Sequence, residues 1–227
     1  MLLSVIIPVY NEASTIRQIL ELVAAEPYEK EILVVDDAST DGTRETLREL
    51  DEGGRIRVLY QERQRGKGAA LRRAIPETRG EVVIFQDADL EYRPRNYAAL
   101  LEPILHLGAD AVYGSRFLGT HRVFLFWHYA ANRFLTLVTN LLFDTNLTDM
   151  ETGAKAFRGE TIRSLRLEAN RFDIEPEVTA RLFQRGCRVF EVPITYSGRD
   201  YVEGKKVGWR DGVAALWRLL RCWMTPP

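Results

Sequence analysis

The chain opens on an unbroken apolar run, Leu3 to Tyr10, rich in β-branched residues. A strand that is apolar on both faces is covered on both faces, as in a parallel sheet. Ile16, Ile19, Leu20 and Val23 then recur at helical spacing. The alternation continues. Glu31 to Asp37 predicts a second strand, and Asp41-Gly42-Thr43 a turn into a short helix ending near Leu50. Ile56 to Tyr60 predicts a third strand, Gly68 to Ile75 a helix, and Glu81 to Gln86 a fourth strand. Pro94, with its φ already helical, suits the first position of a helix running to His106, and Ala109 to Gly114 follows as a fifth strand. Repeats of this kind predict an α/β fold with a mostly parallel central sheet flanked by helices.

Beyond residue 120 the pattern changes. Val123 to Phe143 is aromatic and apolar, but His128, Asn132, Arg133 and Asn140 interrupt it. A membrane-spanning helix needs about 20 nearly uncharged residues, so a transmembrane reading is rejected. Gly153 to Arg158 and Cys187 to Val192 predict short strands. Between them, Asp173 is expected to cap a helix reaching about Arg185. Arg199 to Lys206 reads as a charged loop, and Trp209 to Trp223 as a closing amphipathic helix. With no linker, repeat or low-complexity tract, residues 1–227 are expected to form one domain, with halves at 1–120 and 121–227.

A length of 227 residues is enough to bury a sizeable core, and 46% apolar with 28% charged residues is a globular balance. A net charge of −1 argues against a general nucleic-acid binder, so anion binding must come from local basic clusters. Cys187 and Cys222 lie at no metal-ligand or redox spacing, which suits a reducing compartment. No basic segment precedes the first strand, so no signal peptide is expected.

The chemistry concentrates at strand ends. Asp87-Ala88-Asp89 follows the fourth strand, where ligands of open α/β sheets bind. Two carboxylates one residue apart suit a hard divalent cation bridging to a diphosphate, and Glu91 could add an oxygen. Asp36-Asp37 ends the second strand, and Pro8-Val9-Tyr10-Asn11-Glu12 the first. Tyr10 offers a ring to a base, and Glu12 an acceptor to ribose hydroxyls. Like charges gathered on one rim destabilise a fold unless a cation or ligand joins them. Gly66-Lys67-Gly68 precedes a helix, where glycines permit close backbone approach and the N-terminus favours anions.

Together these segments, with Val35-Asp36-Asp37-Ala38-Ser39-Thr40-Asp41-Gly42-Thr43 and Gln86-Asp87-Ala88-Asp89, resemble the hallmarks of family-two glycosyltransferases. Tyr113-Gly114-Ser115-Arg116-Phe117, Asp149 to Phe157, Arg171 to Glu177, Val192 to Tyr196, and Arg199 with Glu203-Gly204-Lys205-Lys206 are similar to the polyprenyl-phosphate sugar synthases within that family. That group includes dolichol-phosphate mannose synthases and undecaprenyl-phosphate glucosyltransferases. The resemblance implies the GT-A fold and a Mg²⁺ or Mn²⁺ cofactor. It implies inverting transfer of a hexose from GDP-mannose or UDP-glucose to a polyprenyl phosphate at the cytoplasmic membrane face.

By the same resemblance Pro8, Tyr10, Glu12 and Asp37 would hold the nucleoside. Asp87, Asp89 and Glu91 would surround the metal. Lys67, Arg116, Arg133, Arg199 and Lys205 would act on donor or acceptor phosphates, with Asp89, Arg116, Arg133 and Lys205 closest to the chemistry. A phosphate monoester has a second pKa of about 6, so such an acceptor is already anionic near neutrality and needs little help from a base. Many relatives carry transmembrane helices after the catalytic domain. A chain that stops at Pro227 resembles the peripheral forms, which makes a separate membrane subunit a possible partner. The alternatives are a family-two transferase with a non-lipid glycan acceptor and a non-catalytic nucleotide-sugar-binding relative. A pyrophosphorylase is disfavoured because Pro8 to Glu12 holds no glycine, and a dehydrogenase because no G-x-G-x-x-G follows a strand.

Overall fold

The computed structural model describes residues 1–123, 125–198 and 208–225. Its strands are β1 (Leu3–Val9), β2 (Lys30–Asp36), β3 (Arg57–Tyr60), β4 (Val82–Phe85), β5 (Ala111–Ser115), β6 (Lys155–Arg158) and β7 (Val189–Pro193). Its helices are α1 (Ile16–Ala25), α2 (Thr43–Glu52), α3 (Lys67–Ala74), α4 (Tyr97–His106), α5 (Phe126–Phe143), α6 (Gly159–Ser164), α7 (Ile174–Gln184) and α8 (Trp209–Met224). The strands form one sheet in the order β3-β2-β1-β4-β6-β5-β7. Only β6 runs antiparallel to its neighbours, pairing with β4 and β5.

The apolar run of β1 has its explanation in two cores. Val5, Ile7 and Val9 face one side with Ile16, Ile19 and Val23 of α1 and Leu100, Leu101 and Ile104 of α4. Ile6 faces the other with Ala70 and Leu71 of α3 and with residues of α5, α7 and α8. The strand order reverses between β1 and β4. That is the topological switch where adjacent loops part and leave a crevice beyond the strands' carboxyl ends. Both Pro8 to Glu12 and Asp87 to Glu91 are delivered there.

One feature of the second half differs from the sequence reading. Asp173 sits at the N-cap of α7 without capping it. Its Oδ2 instead accepts from Arg218 Nη2 at 2.7 Å and Nε at 2.9 Å, because a buried guanidinium on α8 requires a charged acceptor. The arginines of α8 are also not equivalent. Arg218 is buried among the packing residues Ala215, Leu219 and Cys222, while Trp209, Val213, Trp217, Leu220 and Trp223 are exposed. So α8 is core on one face and apolar surface on the other. On α5, Phe126, Trp127, Phe134, Leu137 and Leu141 are likewise exposed. No helix of the described residues is long and apolar enough to cross a membrane. Phe124, Arg199 and Lys205 lie outside the described residues.

Candidate active site

A cleft of about 1290 Å³ opens at the switch point. It gathers Pro8, Tyr10, Glu12, Asp37, Lys67, Asp87, Asp89, Glu91 and Arg116, which the sequence scatters over more than a hundred residues. Three non-glycine residues on this rim, Asn11, Ala38 and Leu90, hold positive φ of 51°, 62° and 65°. Each follows the end of a parallel strand. Strained backbone of this kind persists only where the surroundings over-determine it, and it collects at functional sites.

The acidic strand ends turn out to be joined largely by the protein itself. Asp36 accepts from Arg44 Nε at 2.7 Å and from the Ser39 amide at 3.1 Å. Asp37 accepts from Gln61 Nε2 at 2.9 Å and from the Arg65 and Gly66 amides at 2.7 Å each. Burial raises the Asp37 pKa, against the lowering effect of the two amides. Like-charge crowding alone therefore does not demand an external cation at β2. The Asp37 carboxylate ties down the loop that begins α3, which sets one wall of the cleft.

The glycines of that loop allow a close backbone approach. A side chain on Gly66, at φ +99°, or on Gly68 would meet the carbonyl oxygens of Asn170 and Ala169 at 2.5 Å. Their bareness serves contact with the 169–171 segment. Lys67, between them, is aimed inward. Its Nζ lies 2.7 Å from Asp87 Oδ1 and 3.1 Å from Glu175 Oε1. Burial by itself would lower the Lys67 pKa, but the two carboxylates outweigh it and raise the value.

Beyond Asp87, the Asp89 carboxylate accepts from the Glu91 amide at 3.1 Å, closing the turn through Leu90. Glu91 Oε2 accepts from the Tyr196 hydroxyl at 2.9 Å. The Gly153 amide donates to the Tyr92 hydroxyl at 3.1 Å, and a side chain on Gly153 would run into Asp87 Oδ2. The two aspartates thus stand on fixed backbone with their carboxylates at the cleft wall.

The basic residues divide. Arg116 forms a two-point pair with the fully buried Asp149, Nε to Oδ2 and Nη2 to Oδ1, both 2.7 Å. Burial would lower the Arg116 pKa, but Asp149 holds it well above the ordinary value. This geometry leaves Nη1 to face another partner. Arg133 is exposed, bonds the Thr148 carbonyl at 3.2 Å, stacks on Phe117, and does not line the cleft.

Sequence gives no role to Glu151, Lys155 or Glu175. They lie within the 149–157 and 171–177 segments, but nothing in residue type marks them as clustered. Lys155 is fully buried and donates to Glu175 Oε2 at 2.7 Å, to the Met150 carbonyl at 3.0 Å, and to the Thr152 carbonyl. Glu151 lines the cleft with its Oε1 buried and unpaired among the described residues. Burial pushes its pKa from 4.5 up to about 7, partly offset by Lys155. A carboxyl that the fold keeps protonated stabilises fully below its ordinary value, and that contribution is lost as pH rises through 7. Glu151→Gln is therefore expected to stabilise the protein at pH 8 by about 2 to 3 kcal/mol and to leave it nearly unchanged at pH 5. Denaturant midpoints at the two pH values would show this.

The sheet order and its acidic crevice define the GT-A class of folds. Glucosyl-3-phosphoglycerate synthase from Mycobacterium tuberculosis, crystallised with Mn²⁺, UDP and phosphoglyceric acid, superposes on 99% of this chain and 79% of its own. The TM-score is 0.77 at 22% identity. The chain belongs to glycosyl transferase family 2, whose sequence pattern matches residues 4–170. It is a glycosyltransferase. It is 30% identical to undecaprenyl-phosphate mannosyltransferase of Micrococcus luteus, over 95% of this chain and 96% of the relative. It is 29% identical to dolichol-phosphate mannosyltransferase of Pyrococcus furiosus, over 92% of this chain but 60% of the relative. With polyprenol monophosphomannose synthase of Mycolicibacterium smegmatis it shares 30% identity, over 90% and 80%.

Proposed function

We propose that the chain transfers a hexose, with inversion, from a nucleoside-diphosphate sugar to a polyprenyl phosphate, working at the surface of the membrane on its cytoplasmic side. The observation that carries this reading is the mixed lining of the cleft. The charged side chains Asp37, Lys67, Asp87 and Asp89 share it with apolar side chains of α5 and α8, Trp127, Phe134, Trp209, Val213 and Leu216. A ligand with a charged head and an apolar tail uses both kinds of side chain, and a free glycan leaves the apolar ones without a partner. The mannosyltransferase names of the relatives support mannose as the sugar, from GDP-mannose, over glucose from UDP-glucose.

The donor set suits Mg²⁺ or Mn²⁺ carried on a diphosphate. Among the described residues no group of three or more His, Cys, Asp or Glu side chains could hold a metal by itself. A hard cation that completes its shell from one or two carboxylates, substrate phosphate oxygens and water matches that poverty. Asp87 and Asp89, with Glu91 behind them, would hold it. When bound, it would offset the charge that develops on the departing nucleoside diphosphate. Pro8, Tyr10, Glu12 and Asp37 bind the nucleoside along the β1 and β2 ends. Arg116 offers Nη1 to the acceptor phosphate, with Lys205 and Arg199 on the following segment as further phosphate partners. Lowered repulsion between two phosphates, together with alignment of an oxygen already anionic, leaves little work for a general base.

The exposed faces of α5 and α8 would lie in the membrane interface, aromatic side down. Truncating α8 would remove core residues as well, so surface substitutions are the cleaner test. Trp217→Ser with Trp223→Ser is expected to reduce vesicle binding and transfer to long-chain polyprenyl phosphate by about tenfold. Transfer to a short-chain soluble analogue should stay near wild type. The assay reads sugar–phosphate–lipid product by mass from GDP-mannose and from UDP-glucose in parallel. No product from either donor would remove the proposed reaction.

A further inference from the structure

Four charged side chains, on β6, α7, α3 and the turn after β4, form one row that runs from the buried core to the cleft wall. Lys155 on β6 touches Glu175 Oε2 at 2.7 Å. Glu175 Oε1 faces Lys67 Nζ at 3.1 Å. Lys67 Nζ reaches Asp87 Oδ1 at 2.7 Å. The signs alternate, and exposure rises along the row from 0% at the Lys155 side chain to 19% at Asp87. Glu175 is the second residue of α7, where the helix N-terminus adds to the hold on its charge. A buried ammonium is stable only while it keeps a charged partner. Lys67 has two, and only one of them belongs to the acidic pair at the cleft wall.

We propose that Lys67 is a resident cation on Asp87 that a divalent metal must displace, and that Glu175 is the seat that retains its ammonium when this happens. The inference rests on the metal-carrying reading given above. An ammonium 2.7 Å from Asp87 Oδ1 and a divalent cation on the same carboxylate repel, so the metal binds at full strength only when the lysine draws away. If Asp87 were the only partner, expelling Lys67 would strand a buried charge. With Glu175 already 3.1 Å away, the ammonium keeps an ion pair and needs only a small movement. Lys155 takes no part in the exchange. It saturates the far oxygen of Glu175 and fixes the carboxylate so that Oε1 faces the cleft. Glu175 is thus a positioning residue acting through Lys67. The retained ammonium stays beside the place where a diphosphate would sit, and in the resting protein it partly neutralises the acidic pair.

The consequence is measurable without turnover. Mn²⁺ binding is followed by the loss of the free-ion electron paramagnetic signal, with and without GDP or UDP. In the nucleotide-free protein, Lys67→Met is expected to tighten Mn²⁺ about tenfold, since the competing cation is gone. Glu175→Gln is expected to weaken it severalfold, since Lys67 then has no charged alternative to Asp87. In the Lys67→Met background Glu175→Gln should have no further effect on Mn²⁺, because the residue through which it acts is absent. Equal or weaker Mn²⁺ binding by Lys67→Met would overturn the proposal, as would a full Glu175→Gln effect in the double variant. Should Glu175→Gln strand Lys155 and unfold, Lys67→Met decides alone, because it leaves the Lys155–Glu175 pair intact. A wild-type protein that binds no Mn²⁺ even with GDP or UDP would instead remove the metal reading, and this inference with it.

Discussion

Asp89→Ala and Asp89→Asn are both expected to lower transfer by about a thousandfold or more, with folding nearly intact. The carboxylate is half-buried on the turn after β4, and it accepts the Glu91 amide at 3.1 Å. Alanine loses that bond, at about 1 kcal/mol, whereas asparagine keeps an oxygen for it. The two variants should therefore differ slightly in thermal stability and hardly at all in activity, because neither supplies the negative charge. Removing one group aimed at charge that develops in the transition state costs a factor of about 10² to 10³. Losing a cation held by so few protein donors should cost more. Initial rates with and without EDTA, beside melting temperatures, separate the two effects. Wild-type activity surviving EDTA, or an active Asp89→Asn, would remove the metal assignment.

Asp149→Ala is expected to be the most damaging change to folding in the site. It strands the Arg116 guanidinium, which now spends two nitrogens on a carboxylate of zero exposure. Breaking one side of a buried pair costs about 3 to 5 kcal/mol, whereas replacing both sides by apolar groups of similar volume is often near neutral. The double variant Arg116→Met with Asp149→Leu should then recover part of the stability, since Asp149 Oδ2 also accepts the Arg116 amide at 3.0 Å, but none of the transfer. Denaturant unfolding and product mass measured on the same samples would show that split. Glu191 accepts the Thr148 amide at 2.8 Å and the Asp149 amide at 3.1 Å, so the loop itself should hold its place in both variants. If Asp149→Ala were as stable as wild type, the pair would be a surface contact and Arg116 a free phosphate arginine.

Much of this molecule is legible one segment at a time. The apolar runs of β1, β2 and β4 appear in the sequence because a strand buried on both faces has no polar face to show. The acidic ends of β1, β2 and β4 are legible for a related reason. In a sheet of this order the carboxyl ends of parallel strands converge on one rim, so acidic residues after separate apolar runs become neighbours in space. The family-two motifs rest on the same residues, and the chain's membership in that family agrees with them.

What the sequence could not decide was how charge is distributed between neighbours. Lys67 reads as a loop lysine among glycines until α7 brings Glu175 beside it and β6 brings Lys155 behind that. Arg116 reads as a phosphate arginine until Asp149, 33 residues away, takes two of its nitrogens. Arg218 counts among the basic residues of a surface helix until Asp173 and Glu177 are found against it. Hydrophobic burial repeats along the chain with the period of each element, so local sequence determined the strands, the helices and the acidic rim. A buried charge is settled by a single partner that any distant segment can supply, so only the tertiary structure decided which cations are spent on the fold and which remain for a ligand.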